Sequence, residues 1–228
     1  MIRYVHKKNI KQTKFFVELA DGFKFIFTHR IIYKLCFFLL IIYALIQPIF
    51  TVVLPLFFRT VLKYSDTQYG YLQMIIVAGA FLGSVLVGLL FGKGNKEIKA
   101  LTIGLLLLMG TMLGFSVLLF PDSLSLLGTD TLLYFFIFSG VLCLLSVAVM
   151  FINVPVQTII QKESSDRYMS RIFSVVGMIS KAGLPFGALI YGLVLNRVEI
   201  HWTISVATLL IILISGVFRL AVRTDELS

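Results

Sequence analysis

Apolar residues in this chain come in long blocks rather than in the alternation of a strand or the single stripe of a surface helix. Charge-free runs cover residues 35–58, 67–92, 100–121, 131–161, 182–196 and 202–218. A helix needs about 20 such residues to cross a hydrocarbon core of ~30 Å. Helices are also the only open-chain structure that pairs every backbone group inside lipid. The fifth run reaches spanning length when it starts near Ile172 and takes in Lys181. The fourth exceeds it and extends past the membrane at one end. The pattern therefore predicts an all-α, polytopic bundle with spans near 31–58, 67–92, 99–121, 131–158, 171–196 and 202–219. A basic segment, 1–30, precedes the bundle, and a short tail, 221–228, follows it.

Composition agrees with lipid as the solvent. The chain is 59% hydrophobic and 14% charged, with mean hydropathy +0.99, whereas soluble domains are about a quarter charged. The net charge of +9 has a topological reading. Sixteen of the 20 basic residues fall in 1–34, in the second and fourth connections and in the tail, and three (Arg59, Lys63 and Arg197) fall on the other side. The positive-inside rule then places both termini in the cytoplasm of a multi-pass cell-membrane protein. It accounts for the charge without a nucleic-acid partner. Within the basic segment, Phe16, Leu19, Ala20, Phe23 and Phe27 share a helical face, which predicts an amphipathic helix over 15–27. That helix either lies in the interface or packs on the loops.

The second and fifth spans resemble each other. Ala78-Gly79-Ala80-Phe81-Leu82-Gly83 aligns with Ala182-Gly183-Leu184-Pro185-Phe186-Gly187, and Gly88-Leu89 with Gly192-Leu193. Every pair is 104 residues apart. The predicted topology runs these segments in opposite directions, so the chain reads as two three-helix units, 35–121 and 131–218, of inverted topology. Nested 3+3 repeats of this kind build secondary transporters. Gly79, Gly83, Gly88, Gly183, Gly187 and Gly192 are the expected sites of close helix–helix approach.

Polar groups inside the spans are the candidate chemistry. Lys181 lies ten residues from Arg171, which is ~15 Å along a helix, near the bilayer midplane. An ammonium there faces a cavity or a partner, or bonds helix carbonyls. Ser139, Cys143, Ser146, Met150, Asn153, Gln157 and Gln161 form a polar stripe on the fourth span, interrupted by Pro155. The first span carries Tyr43, Gln47 and Thr51 with Pro48 and Pro55, and the second adds Gln73. These groups, with Gln47, Gln73, Asn153, Gln157 and Lys181 foremost, either contact a substrate or hold the bundle together. No Asp or Glu falls within a predicted span, so no carboxylate proton relay is expected in this chain. The chain has no GK[ST] phosphate loop, no nucleophile–base pair and no metal-ligand spacing. It reads as a non-enzyme without cofactor or metal. Cys36 and Cys143 sit in apolar runs and behave as small hydrophobes.

Several segments resemble the C-terminal half of major facilitator superfamily permeases. They are Glu18-Leu-Ala-Asp-Gly22-Phe-Lys-Phe-Ile-Phe27, Leu54-Pro55, Tyr69-Gly70, Asn153-Val-Pro155-Val-Gln157, and the run from Ser170-Arg171-Ile-Phe-Ser174 through Pro185-Phe-Gly187 to Gly192. The nearest subgroup is the bacterial macrolide-efflux and enterobactin-exporter-like permeases. The resemblance covers about residues 18–220 and implies alternating-access transport, commonly export of a drug such as a macrolide or of a siderophore, driven by proton antiport. It also implies twelve spans, so this chain would be a truncated or split half. A second six-helix half or another copy would be its partner. The loop Gly88-Leu-Leu-Phe-Gly92-Lys93-Gly94-Asn95-Lys96 resembles the family's G-x-x-x-D-[RK]-x-G-[RK] loop with Gly92 in place of the acid, which weakens a charge-relay latch there. The alternative is a non-transporting six-helix anchor or an assembly or regulatory partner; the inverted repeat disfavours a third reading, the membrane subunit of an ATP-driven complex. The 21 Phe suit a lipophilic solute and suit lipid equally.

Overall fold

The computed structural model describes residues 24–92, 94, 96–128, 131–164 and 169–225, with side chains to residue 220. No strand occurs among them. Six helices are long and apolar enough to cross a membrane: α1 Arg30–Leu62, α2 Asp66–Phe91, α3 Glu97–Leu118, α4 Leu132–Glu163, α5 Met169–Leu195 and α6 Ile200–Asp225. A short helix, Pro121–Leu127, joins α3 to α4. The predicted amphipathic helix at 15–27 lies outside the described residues except for its end. Residues 24–28 are helical, Ile26 is buried, and Phe25 stacks on His29.

Local chemistry sets several boundaries. Ser65 and Gln68 form a capping box at the start of α2, in which each side chain takes up an otherwise unpaired backbone N–H. Thr131 caps α4 through the Tyr134 amide at 3.3 Å. The first helix runs past the expected end at 58 to Leu62, and its outer part is irregular. Pro48 and Pro55 each withhold an N–H from the carbonyl four residues earlier. The turns widen to π geometry over Ile49–Val53 and Phe58–Leu62. The helix stops at Lys63, which adopts the left-handed conformation at φ 52°. The Tyr64 amide folds back to the Phe58 carbonyl at 3.3 Å, which also accepts the Lys63 amide, a closure typical of a helix end.

Packing follows the repeat. The two most extensive seams outside the α3–α4 pair join α2 to α4 and α1 to α5. The 104-residue offset exchanges these two seams. At the first, a Cβ on Gly79 would lie 2.6 Å from the Cys143 carbonyl oxygen, and one on Gly83 would lie 2.9 Å from the Val147 Cα. At the second, Gly183 abuts the Leu40 carbonyl and Ala44, and Gly187 abuts the Ala44 carbonyl and Pro48. Subtracting the offset from Cys143 and Val147 gives 39 and 43, one residue from the observed 40 and 44. Each unit thus lends its second helix to the first helix of the other.

Two close glycine contacts, one at the α1–α5 seam and one between α3 and α4, share a cause. Pro48 has no N–H for the Ala44 carbonyl, and Gly187 packs against that carbonyl. Pro155 has no N–H for the Phe151 carbonyl, and Gly104 packs against the Phe151 backbone, its built Cβ lying 2.8 Å from the oxygen. A released carbonyl needs a polar or C–H partner in a dry interior, and only glycine lets a facing backbone come that close. Gly104 stands outside the repeat alignment, so nothing in the sequence pattern marked it.

The core centres on α3, α4 and the inner face of α1. Leu105, Leu108, Met112, Phe115, Phe138, Leu142 and Leu145 are almost wholly enclosed. Tyr134 is buried with its hydroxyl donated to the Leu118 carbonyl at 3.0 Å. The repeat-related α2 and α5 are the least enclosed, with 17% and 22% of their most apolar windows buried against 44% for α1, α3 and α4. Both therefore offer a long outer face.

Candidate functional site

Between α1 and α4 the polar groups of the first and fourth spans meet. Residues 39, 42, 43, 46 and 47 share one face of α1, and 149, 152 and 153 share one face of α4. Together they line a narrow cleft with about 10 Å³ of free space, room for roughly one water molecule. The Tyr43 hydroxyl donates to the Asn153 Oδ1 at 2.8 Å across it. Gln47 lies one turn from Tyr43 on the same wall. A phenol and two amides in an apolar setting can donate to and accept from a neutral polar ligand without carrying charge. The sequence placed Gln47 and Asn153 on separate elements, and the structure brings them together. Their link through Tyr43 was not predicted, although its position four residues before Gln47 was the available signal.

The other candidates lie elsewhere. Gln73 donates to the Tyr69 hydroxyl within α2 at 2.7 Å. Gln157 sits one turn beyond Asn153 on α4 and is exposed. The upper part of the α4 stripe serves packing: Ser139 and Ser146 are buried, and Cys143 is pressed against Gly79. Gly88 and Gly192 differ from the expectation of close approach, since nothing lies within 4 Å of a Cβ built on either. Gly192 falls on the exposed side of α5, and Gly88 lines a cavity between the end of α2 and Val154, Pro155 and Thr158 of α4 rather than a close contact.

Lys181 is exposed on α5. The buried side of α5 (Ile172, Val176, Gly183, Gly187 and Tyr191 among others) packs on α1, and Tyr191 donates its hydroxyl to the Leu45 carbonyl at 2.9 Å. Lys181 projects from the far side, on a strip with Ser170, Ser174, Gly177, Ala188 and Gly192 at helical spacing. A third sector holds Met178, Phe186, Leu189 and Leu193, all well exposed. So α5 has a core face, a small and polar face centred on Lys181, and an apolar face suited to lipid. Pro185 has no N–H for the Lys181 carbonyl, so the third proline device opens onto the small and polar face.

At the basic end of the bundle, Lys162 near the end of α4 pairs with Glu97 at the start of α3 at 2.7 Å. Each charge suits its helix terminus. Among the described residues no cluster of His, Cys, Asp and Glu has metal-binding geometry.

Six apolar helices in two inverted, helix-exchanging triplets, with an exposed small and polar strip on α5, describe half of a secondary transporter fold. The sequence model of the Major Facilitator Superfamily matches residues 3–188, and the chain belongs to that family of membrane transporters. It is a multi-pass membrane protein. Among characterised relatives it is similar to Macrolide efflux protein A of Streptococcus pyogenes, with 27% identity over 172 residues. The same protein from Streptococcus pyogenes serotype M6 matches equally. The aligned part is 75% of this chain and 38% of those relatives, so the chain spans well under half of their length. No solved structure matches significantly.

Proposed function

We propose that this chain is the C-terminal half of a major facilitator efflux permease that exports a lipophilic small molecule by alternating access. One observation carries the reading. The Lys181 strip of α5 combines a cation that the span length would put near mid-membrane, small residues and a carbonyl deprived of its donor, and it lies off the α1 seam with Lys181 exposed among the described residues. Such a strip is costly against lipid and is accommodated by a second six-helix half, supplied by a longer form of the chain, a separate chain or a second copy. The central cavity then lies between the halves, faced by α1, α2, α4 and α5. Gln47, Asn153, Gln157 and Lys181 are the contacts offered from this side, with Gln73 at the margin. Gly88 and Gly192 sit where the second half approaches. The resemblance to a macrolide efflux protein supports a large, mostly apolar substrate. The distribution of basic residues supports cytoplasmic termini in the cell membrane.

The test is flux from proteoliposomes loaded with a radiolabelled macrolide. The six-helix chain alone is expected to give no substrate-dependent efflux, and co-reconstitution with a complementary six-helix half is expected to restore it. No efflux with any complementary half would remove the transport reading and favour a membrane anchor or assembly partner. Clear flux from the chain alone would remove the need for a second half.

A further inference from the structure

The repeat symmetry fails at one seam. The offset that relates α1 to α4 and α6 to α3 should make α1 and α6 pack as α4 and α3 do. Instead α4 and α3 stay in contact along their length, while α1 and α6 meet far less. Their divergence leaves an open groove of about 390 Å³, within the size range of small-molecule sites. Its walls are Tyr33, Phe37 and Ile41 of α1 and Leu213 and Val217 of α6. Phe38 stacks on Phe218 at 3.9 Å between ring centres and closes the floor.

We infer that this groove binds one anionic phospholipid, with an acyl chain between α1 and α6 and the headgroup on Arg30 and Lys34. Three observations select that occupant. First, the α1 wall runs over residues 33–41, which is ~12 Å of helix and less than half of a ~30 Å core. A spanning helix from a second half or copy would need a groove of full membrane depth, whereas one leaflet's acyl chain needs half. Second, the groove begins at the basic end of α1. Lys34 lines its mouth, and Arg30 lies one turn earlier on the same face, both exposed. Basic pockets between spanning helices at this level recognise anionic headgroups. Third, Tyr33 stands at the mouth with its ring against Phe27 at 5.5 Å and Phe37 at 6.2 Å. This is an interfacial aromatic arrangement with its apolar body toward the groove.

Native mass spectrometry of the purified chain in detergent, titrated with phosphatidylglycerol or phosphatidylcholine of identical acyl chains, tests the inference. One tightly held phosphatidylglycerol per chain is expected, with roughly 30-fold preference over phosphatidylcholine from two cations. Arg30→Gln and Lys34→Gln should each lower phosphatidylglycerol affinity roughly fivefold. Val217→Trp should fill the groove and remove tight binding of both lipids. Val217 is exposed, so the ring has room, and Leu213→Trp on the same wall is the second probe if that variant fails to fold. Equal retention of the two lipids would overturn the inference. So would a preference that survives the double Arg30→Gln and Lys34→Gln change, or undiminished binding in a folded groove-filled variant.

Discussion

A methyl group added at Gly187 would meet the Ala44 carbonyl and the Pro48 ring, whereas one added at Gly88 would meet nothing within 4 Å. Both residues belong to the same repeated pattern, yet substitution should act on them in opposite directions. Gly187→Ala is expected to destabilise the six-helix chain by about 1–3 kcal/mol through overpacking. Gly88→Ala should be neutral or should stabilise it by up to about 1 kcal/mol through helix propensity. Thermal unfolding in detergent followed by circular dichroism measures both. Lys63 offers a third residue-scale case. Its left-handed conformation at φ 52° costs a non-glycine residue about 1 kcal/mol, so Lys63→Gly should raise stability by about that amount in the same assay.

Between helices, the contacts of interest are few and can be taken apart. The Tyr43–Asn153 hydrogen bond joins α1 to α4 at 2.8 Å. Hydrogen bonds between spanning helices contribute about 0.6 kcal/mol on average and rarely exceed 1.7. A double-mutant cycle with Tyr43→Phe and Asn153→Leu should give a coupling in that range, and a coupling near zero would show that the pair does not hold the helices together. The Glu97–Lys162 pair joins α3 to α4 at the basic end, with the Lys162 side chain half exposed. Exposed pairs contribute under about 1 kcal/mol and are screened by salt. Glu97→Gln should therefore have a small effect that fades as ionic strength rises, measured by unfolding at low and high salt.

Across the whole molecule, the asymmetry between the units carries the functional proposals. The six helices bury α3 and α4 and leave α2 and α5 as outer rails, so the Lys181 strip faces away from the core that the described residues form. Neutralising that cation tests its part in transport. In a transport-competent assembly with a second half, Lys181→Met is expected to lower efflux at least tenfold, read as initial rates from proteoliposomes. Unchanged efflux would take Lys181 out of the mechanism. A reporter fused in the loop around Asp122 should lie on the opposite side of the membrane from one fused at the N-terminus, and a shared side would undo the inverted arrangement.

Much of this architecture was legible one residue at a time. Block length alone implies six spanning helices, because hydrocarbon thickness and helix rise leave no other solution, and the 104-residue match between Gly79 and Gly183 implied two related triplets. The candidate polar residues were legible as types, since an amide or ammonium within an apolar run stands out whatever the fold. Their grouping was not. Whether Gln47 meets Asn153, whether Gly88 touches a neighbour, and why Gly104 faces the Phe151 carbonyl depend on helix rotation and on where each proline releases a carbonyl. Those are properties of two helices in contact. The gap between α1 and α6 belongs to the same class: the repeat predicts a seam there, and only the packed bundle, with the α3–α4 contact taking the centre, leaves it open.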